Sequence, residues 1–164
     1  MMISRLALLG AAVLFAAPAR ADDCAAPIAA MRALPSKSYT TTNTDSRAGQ
    51  THTSHAVMVN GQLYIEIAGA WRKSHMTAKA MLDTINDGLK TSKMTCKRGG
   101  SETIADQFAT IYDVHNVNQG HASDNRLWIS AAGLPLKTEN HIQGGMVVVS
   151  IYDYAHAVVP PGVK

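Results

Sequence analysis

The sequence predicts an α+β protein: one curved antiparallel β-sheet of about eight strands, with an N-terminal helix and one central amphipathic helix packed on it. Three observations predict it. Short runs with apolar residues at every second position recur along the chain, most of them bounded by glycine-containing turns. One long segment, Thr77 to Lys90, carries a strong helical period instead. The joins are short, as suits strands that pair with their neighbours in sequence.

The chain opens with Arg5 ahead of the apolar run Leu6 to Ala17, followed by Pro18 and the small-x-small site Ala19-Arg20-Ala21. This is the pattern of a secretory signal peptide cleaved after Ala21. The run is shorter than the roughly 20 apolar residues that span a bilayer. Residues 1–21 are expected to be removed, leaving 22–164 as a single soluble domain in the periplasm or outside the cell, without a stable membrane anchor. Cys24 lies close to the cut. Lipid attachment there would need small or apolar residues before it, and Asp22 and Asp23 stand in that place.

Charge is changed by the cut. The whole chain has 15 basic and 12 acidic residues, and the leader takes Arg5 and Arg20, so the remainder is near neutral at +1. Such a domain has no long-range field with which to gather nucleic acid. Its two cysteines, Cys24 and Cys96, are expected to form one disulfide in an oxidising compartment. Closing so long a loop stabilises by roughly 4 kcal/mol on chain-entropy grounds. A reactive thiol pair would favour C-x-x-C spacing, which is absent.

The first helix is expected over Ala25 to Leu34, where Pro27 suits the first turn, Pro35 stops it, and Ile28, Met31 and Leu34 form a narrow stripe. Ser38 to Arg47 is threonine-rich and polar, which reads as a strand near an edge. Thr51 to Val59 follows, and Asn60-Gly61 is a two-residue hairpin turn that needs positive φ at both positions. In Gln62 to Ile67 the residues Leu63, Ile65 and Ile67 alternate with Gln62, Tyr64 and Glu66. Gly69 reverses the chain into Ala70 to Lys73. In the central helix Ala78, Met81, Leu82, Ile85 and Leu89 share one face.

Met94 to Lys97 reads as a strand and Gly99-Gly100 as the turn after it, with Glu102 to Val114 as one long strand. His115 to Asp124 reads as a polar loop. Arg126 to Ser130, Leu136 to Gln143 and Met146 to Tyr154 complete the sheet, and Pro160-Pro161 leaves it.

The residues offer little catalytic chemistry. Seven histidines are scattered, His52, His55, His75, His115, His121, His141 and His156. His52 and His55 would point to opposite faces of a strand. A zinc site usually gathers three or four ligands in tight local pairs, and neither cysteine is free to help. There is no G-x-S-x-G elbow and no phosphate-binding G-x-x-x-x-G-K-[ST] loop. No catalytic residue, metal or cofactor is expected, and the chain is read as a non-enzyme.

The stretch Trp128-Ile129-Ser130-Ala131-Ala132-Gly133-Leu134-Pro135-Leu136-Lys137-Thr138-Glu139 resembles the W-I-x-x-x-x-G-L-P-L-K-x-E hairpin of LolA-like periplasmic proteins, with three residues instead of four between Ile129 and Gly133. Phe108 to Tyr112 is similar to the strand before that hairpin, Ile151 to Tyr154 with Val159-Pro160 to the closing strand, and Trp71 to the tryptophan before the central helix. The likeness covers most of residues 100–160 and the rest in outline. It is strongest to small secreted bacterial proteins of this fold, since the chain is shorter than the lipoprotein carriers. The resemblance implies a half-barrel wrapped over an apolar cavity.

Six methionines outside the leader suit the lining of a site that adapts to flexible ligands, or equally the filling of a core poor in aromatics. If the cavity exists, Met81, Ile85 and Leu89 of the helix are expected to meet Leu63, Ile65 and Ile67 of the sheet, with Trp71 and Trp128 at the rim. The reading that follows is a monomeric periplasmic carrier of a lipid or other apolar ligand. Burying about 400 Å² of ligand at roughly 25 cal/mol/Å² supplies ~10 kcal/mol before ordering costs. Two readings compete with it: an envelope protein–protein interaction module using the strand edge Ser38 to Arg47, and a secreted enzyme of unrecognised type.

Overall fold

The computed structural model describes residues 21–163, so the expected leader lies, except for Ala21, outside the described residues. A single 3₁₀ turn at Ala21–Cys24 leads into α1 (Ala25–Ala33), and a second one, Leu34–Ser36, leads out of it. Then come β1 (Tyr39–Arg47), β2 (Gln50–Val59), β3 (Gln62–Ile67), β4 (Ala70–Thr77), α2 (Ala78–Thr91), β5 (Ser92–Ile104), β6 (Gln107–Asn118), β7 (His121–Ser130), β8 (Pro135–Ile142) and β9 (Met146–Asp153). All nine strands belong to one antiparallel sheet in the order β4-β3-β2-β1-β9-β8-β7-β6-β5. The sheet is curved and unclosed. Its two edge strands, β4 and β5, are the pair that α2 connects, and α2 touches both of them as well as α1. The helix therefore bridges from one edge of the half-barrel to the other.

Five of the hairpins reverse in two residues, both in the left-handed region: Ala48-Gly49, Asn60-Gly61, Ala68-Gly69, Ala105-Asp106 and Gln119-Gly120. Such turns match the natural twist of the strands they join. At Asn60-Gly61, with φ of 51° and 74°, this is the turn the sequence announces. At Ala105-Asp106 it is not. The reversal there occurs without glycine, at φ of 45° and 63°.

Gly99-Gly100, expected to be that turn, instead sits inside β5, where the register with β6 slips between Arg98 and Ser101. A glycine pair can place an extra residue in a strand as well as reverse it. The strand expected from Glu102 to Val114 is accordingly two strands, and β5 is continuous from Ser92. His115 to Asp124, expected as a loop, is the paired tip of β6 and β7, in register down to Asn118 opposite His121. Its polarity reflects exposure, not irregular backbone.

Ser38 to Arg47, expected near an edge, lies in the middle of the sheet. β1 is central, paired along its length with β2 on one side and β9 on the other. Its threonines belong to a strand whose inner positions Tyr39 and Thr41 are buried while Thr42 on the outer face is open. The polarity of this strand comes from one solvated face and not from an edge position. The true edges are β4 and β5.

α2 begins where Thr77 accepts a hydrogen bond from the backbone N–H of Ala80 (3.2 Å), satisfying one of the free first-turn donors. Against the inner face, Ala30 of α1 packs with Val114, Leu127 and Ile129, and Met31, Met94, Cys96 and Tyr112 complete this cluster. The disulfide between Cys24 and Cys96, with a Cα separation of 5.0 Å, ties the start of α1 to β5 across 72 residues of sequence. A second cluster gathers around Trp128, with Ala109 and Leu136 buried beside it.

Candidate functional site

The alternation of side chains along each strand decides what the inner face can offer. At the end near α1 it is aromatic and aliphatic. Tyr39, Tyr152 and Tyr154 form a cluster, with Tyr152 and Tyr154 stacked at 6.5 Å between ring centroids and Tyr39 edge-on to both. Burial raises all three hydroxyls above the usual tyrosine range, so they stay protonated donors. The hydroxyl of Tyr154 donates to the carbonyl of Pro135 (2.6 Å), and that of Tyr39 to Sδ of Met81 on α2 (3.8 Å).

The covering helix is loosely seated. α2 has the apolar stripe expected of it, yet none of its residues is fully buried; Met81, Leu82, Ile85 and Leu89 are all half-buried. An Arg32–Asn86 hydrogen bond (3.0 Å) links it to α1. Between the helices and the sheet lies a cavity of about 230 Å³. Met31, Leu34 and Ile85 line it from the helical side. Met94, Val114, Leu127, Pro135 and Tyr152 form the apolar part of its sheet wall, and Asn116, Asn125, Thr138 and Asn140 the polar part.

Of the residues expected from sequence, Ile85 lines this cavity. Leu63 and Ile65 lie on the same side of the sheet as Met58, by the register of β2 with β3, but away from the cavity. Met81 meets Tyr39, Leu89 lies farther along α2, and Ile67 is 48% exposed beside the β3–β4 hairpin.

The two tryptophans are not at the rim. Trp128 alternates with Leu127 and Ile129, which pack toward α1, so its ring lies on the face away from the helices. It is only 3% exposed; its indole N–H donates to Glu102 and the ammonium of Lys137 sits 4.1 Å from its ring centroid. Trp71 stands opposite Glu66, out of phase with Leu63, Ile65 and Ile67, and so shares the outer face. Even spacing from a hydrophobic neighbour, not proximity to the helix in sequence, decides the face.

Sequence reasoning did not find Met94, Leu127 and the three asparagines. The signal existed: Asn116, Asn125 and Asn140 occupy inner-face positions of their strands. For Asn116 the expected loop over 115–124 hides it; Asn125 and Asn140 are polar side chains on an inner face, where alternation alone predicts apolar ones.

His55, His115 and His141 lie on the outer face, His121 at a hairpin tip, and His156 in the segment after β9. His115 pairs with Asp124 (2.7 Å), His141 with Glu139 (2.8 Å) and His156 with Asp153 (2.6 Å), all substantially exposed. Among the described residues, no group of three or more histidine, cysteine or acidic side chains is arranged to hold a metal ion.

No family model matches the chain, and no curated protein matches it. Solved structures do. The structure of MucB superposes with a TM-score of 0.52 at 17% identity, covering 88% of this chain and 63% of MucB. The Pseudomonas aeruginosa MucA/MucB complex gives 0.49 at 18% identity over 85% of this chain and 59% of that one. The Mycobacterium tuberculosis lipoprotein LppX gives 0.49 at 9% identity over 83% and 97%. By the superposition on MucB the chain shares that protein's fold, a half-barrel, and spans about three-fifths of the MucB chain.

Proposed function

We propose that this chain is an exported binding protein, residues 22–164 after loss of its leader, that holds a single acyl chain between α2 and the inner face of the half-barrel. The carrying observation is the incomplete seal: an amphipathic helix that buries none of its residues fully, over a cavity of about 230 Å³. Interiors are ordinarily packed with few voids larger than a water molecule. Here the space equals the liquid volume of about eight waters. It is smaller than the roughly 300–1,000 Å³ of sites for drug-sized ligands. That size favours one chain over a multi-acyl lipid. Burying eight methylenes at about 0.8 kcal/mol each supplies ~6 kcal/mol before ordering costs, a reversible affinity suited to carriage.

The disulfide supports an oxidising, extracytoplasmic location. No helix among the described residues is long and apolar enough to cross a membrane. The chemistry proposed is capture and release, without catalysis and without a cofactor.

Uptake of the fluorescent probe N-phenyl-1-naphthylamine by the purified protein tests this reading. Saturable enhancement is expected, together with its loss in Ile85→Arg at unchanged helix content. Arginine at this half-buried position can keep its head in water while its stem fills the entrance. A wild-type protein that takes up no probe would count against carriage and favour an interaction module working through edges β4 or β5.

A further inference from the structure

The polar part of the cavity wall is built in register. Asn125 of β7 stands directly opposite Asn140 of β8, and Leu127 opposite Thr138. Val114 of β6 faces Asn125, which places Asn116 on the diagonal from it. Three carboxamides and a hydroxyl therefore form one contiguous patch on the inner face, each half-buried. The Oδ1 atoms of Asn116 and of Asn118, two residues along the same face, are buried without a hydrogen-bond partner. A buried acceptor left in that state costs about 1–3 kcal/mol.

Charge is absent from this wall. No lysine, arginine, histidine, aspartate or glutamate lines the cavity. The remaining polar group, the Tyr152 hydroxyl, is kept protonated by burial and neighbours Thr138 and Ser150. Asn125 already donates to the Ser123 hydroxyl (3.2 Å), but a purely hydrocarbon ligand would leave the buried Asn116 oxygen unpaired and strip water from the other carboxamides. An ionised head group would be desolvated without a counter-charge, which is costlier still. A neutral head group carrying O–H or N–H donors, and able to accept from the asparagine N–H groups, meets neither penalty.

Resting on the carrier reading, we infer that the occupant is a single-chain amphiphile with an uncharged hydroxyl- or carboxamide-bearing head, which the Asn116, Asn125 and Asn140 patch recognises. Rotation of an asparagine amide about its last side-chain bond lets each of these residues offer a donor or an acceptor to the head.

Displacement of N-phenyl-1-naphthylamine by 1-decanoylglycerol and by decanoate at pH 7.5 tests it. The neutral ester is expected to bind at least tenfold more tightly, and Asn125→Leu with Asn140→Leu should reduce that ratio to within threefold, each ligand's affinity being measured against the variant's own probe affinity. If the double variant fails to fold, the single variants Asn125→Leu and Asn140→Leu should each lower the ratio. Equal affinity of the two ligands for wild type, or a ratio unchanged in the folded variants, would overturn the inference while leaving the carrier reading intact. Absence of probe uptake by wild type would remove both.

Discussion

Replacing Cys24 and Cys96 together by alanine should lower the unfolding free energy by roughly 4 kcal/mol, because the bond closes a loop of 72 residues. Against a typical total of about 5–15 kcal/mol, that is a large fraction. The physical cause is double. The denatured chain gains the freedom that the crosslink denies it. In the folded protein, α1 loses its covalent tether to β5, and with it the fixed positions of Met31 and Leu34 over the cavity. Equilibrium urea unfolding of the oxidised wild type and the double variant measures the first effect. A midpoint unchanged by the double substitution would show that the bond is not a staple. Probe uptake measures the second and is expected to weaken with it.

Trp128→Ala should cost about 3–5 kcal/mol, the usual range for removing a fully packed tryptophan. The ring fills the space beside Ala109 and Leu136, carries Lys137 over its face and binds Glu102 through its N–H. Its side of the sheet matters as much as its size. Because the ring faces away from the helices, Trp128→Phe should be folded, less stable than wild type, and unaltered in probe affinity within about twofold, since Ala109, Leu136, Glu102 and Lys137 beside it do not line the cavity. Thermal unfolding and probe titration of both variants check this. A folded Trp128→Phe protein that loses its affinity would return the tryptophan to the rim of the site.

The parts of the fold that the sequence made legible are those where a local rule has one outcome. Asn60-Gly61 can only reverse a hairpin economically, and Met81, Leu82, Ile85 and Leu89 can only share a helix face. The paired cysteines and the G-L-P hairpin at Gly133 to Pro135 belong to the same class. Rules with two outcomes misled. Gly99-Gly100 can bulge or turn, and it bulges. A threonine-rich strand can lie at an edge or across the middle with one face in water, and β1 does the latter. Strand order depends on pairing between distant segments, β1 with β9 above all, and no local pattern reports that.

The site was less legible than the fold for the same reason. Whether an inner-face residue lines a void or fills it depends on which helix covers it. α1 and the 3₁₀ turn after it bring Met31 and Leu34 over β5 to β9, so the cavity lies beneath that half of the sheet and not beneath Leu63 and Ile65. Alternation places Leu63 and Ile65 on the inner face of β3 and, by the same rule, puts Trp128 on the face opposite Leu127 and Ile129; an amphipathic indole suits a rim, but its strand position decides its face.

Intermolecular NOEs between a bound decanoyl chain and methyl-labelled protein test occupancy of the cavity most directly. Cross-peaks to Met31, Ile85, Met94 and Leu127 are expected, with none to Ile142 or Ile151, which are exposed on the sheet at 41% and 45%. Cross-peaks confined to those exposed side chains, or none at all under saturating ligand, would contradict a chain held between α2 and the half-barrel.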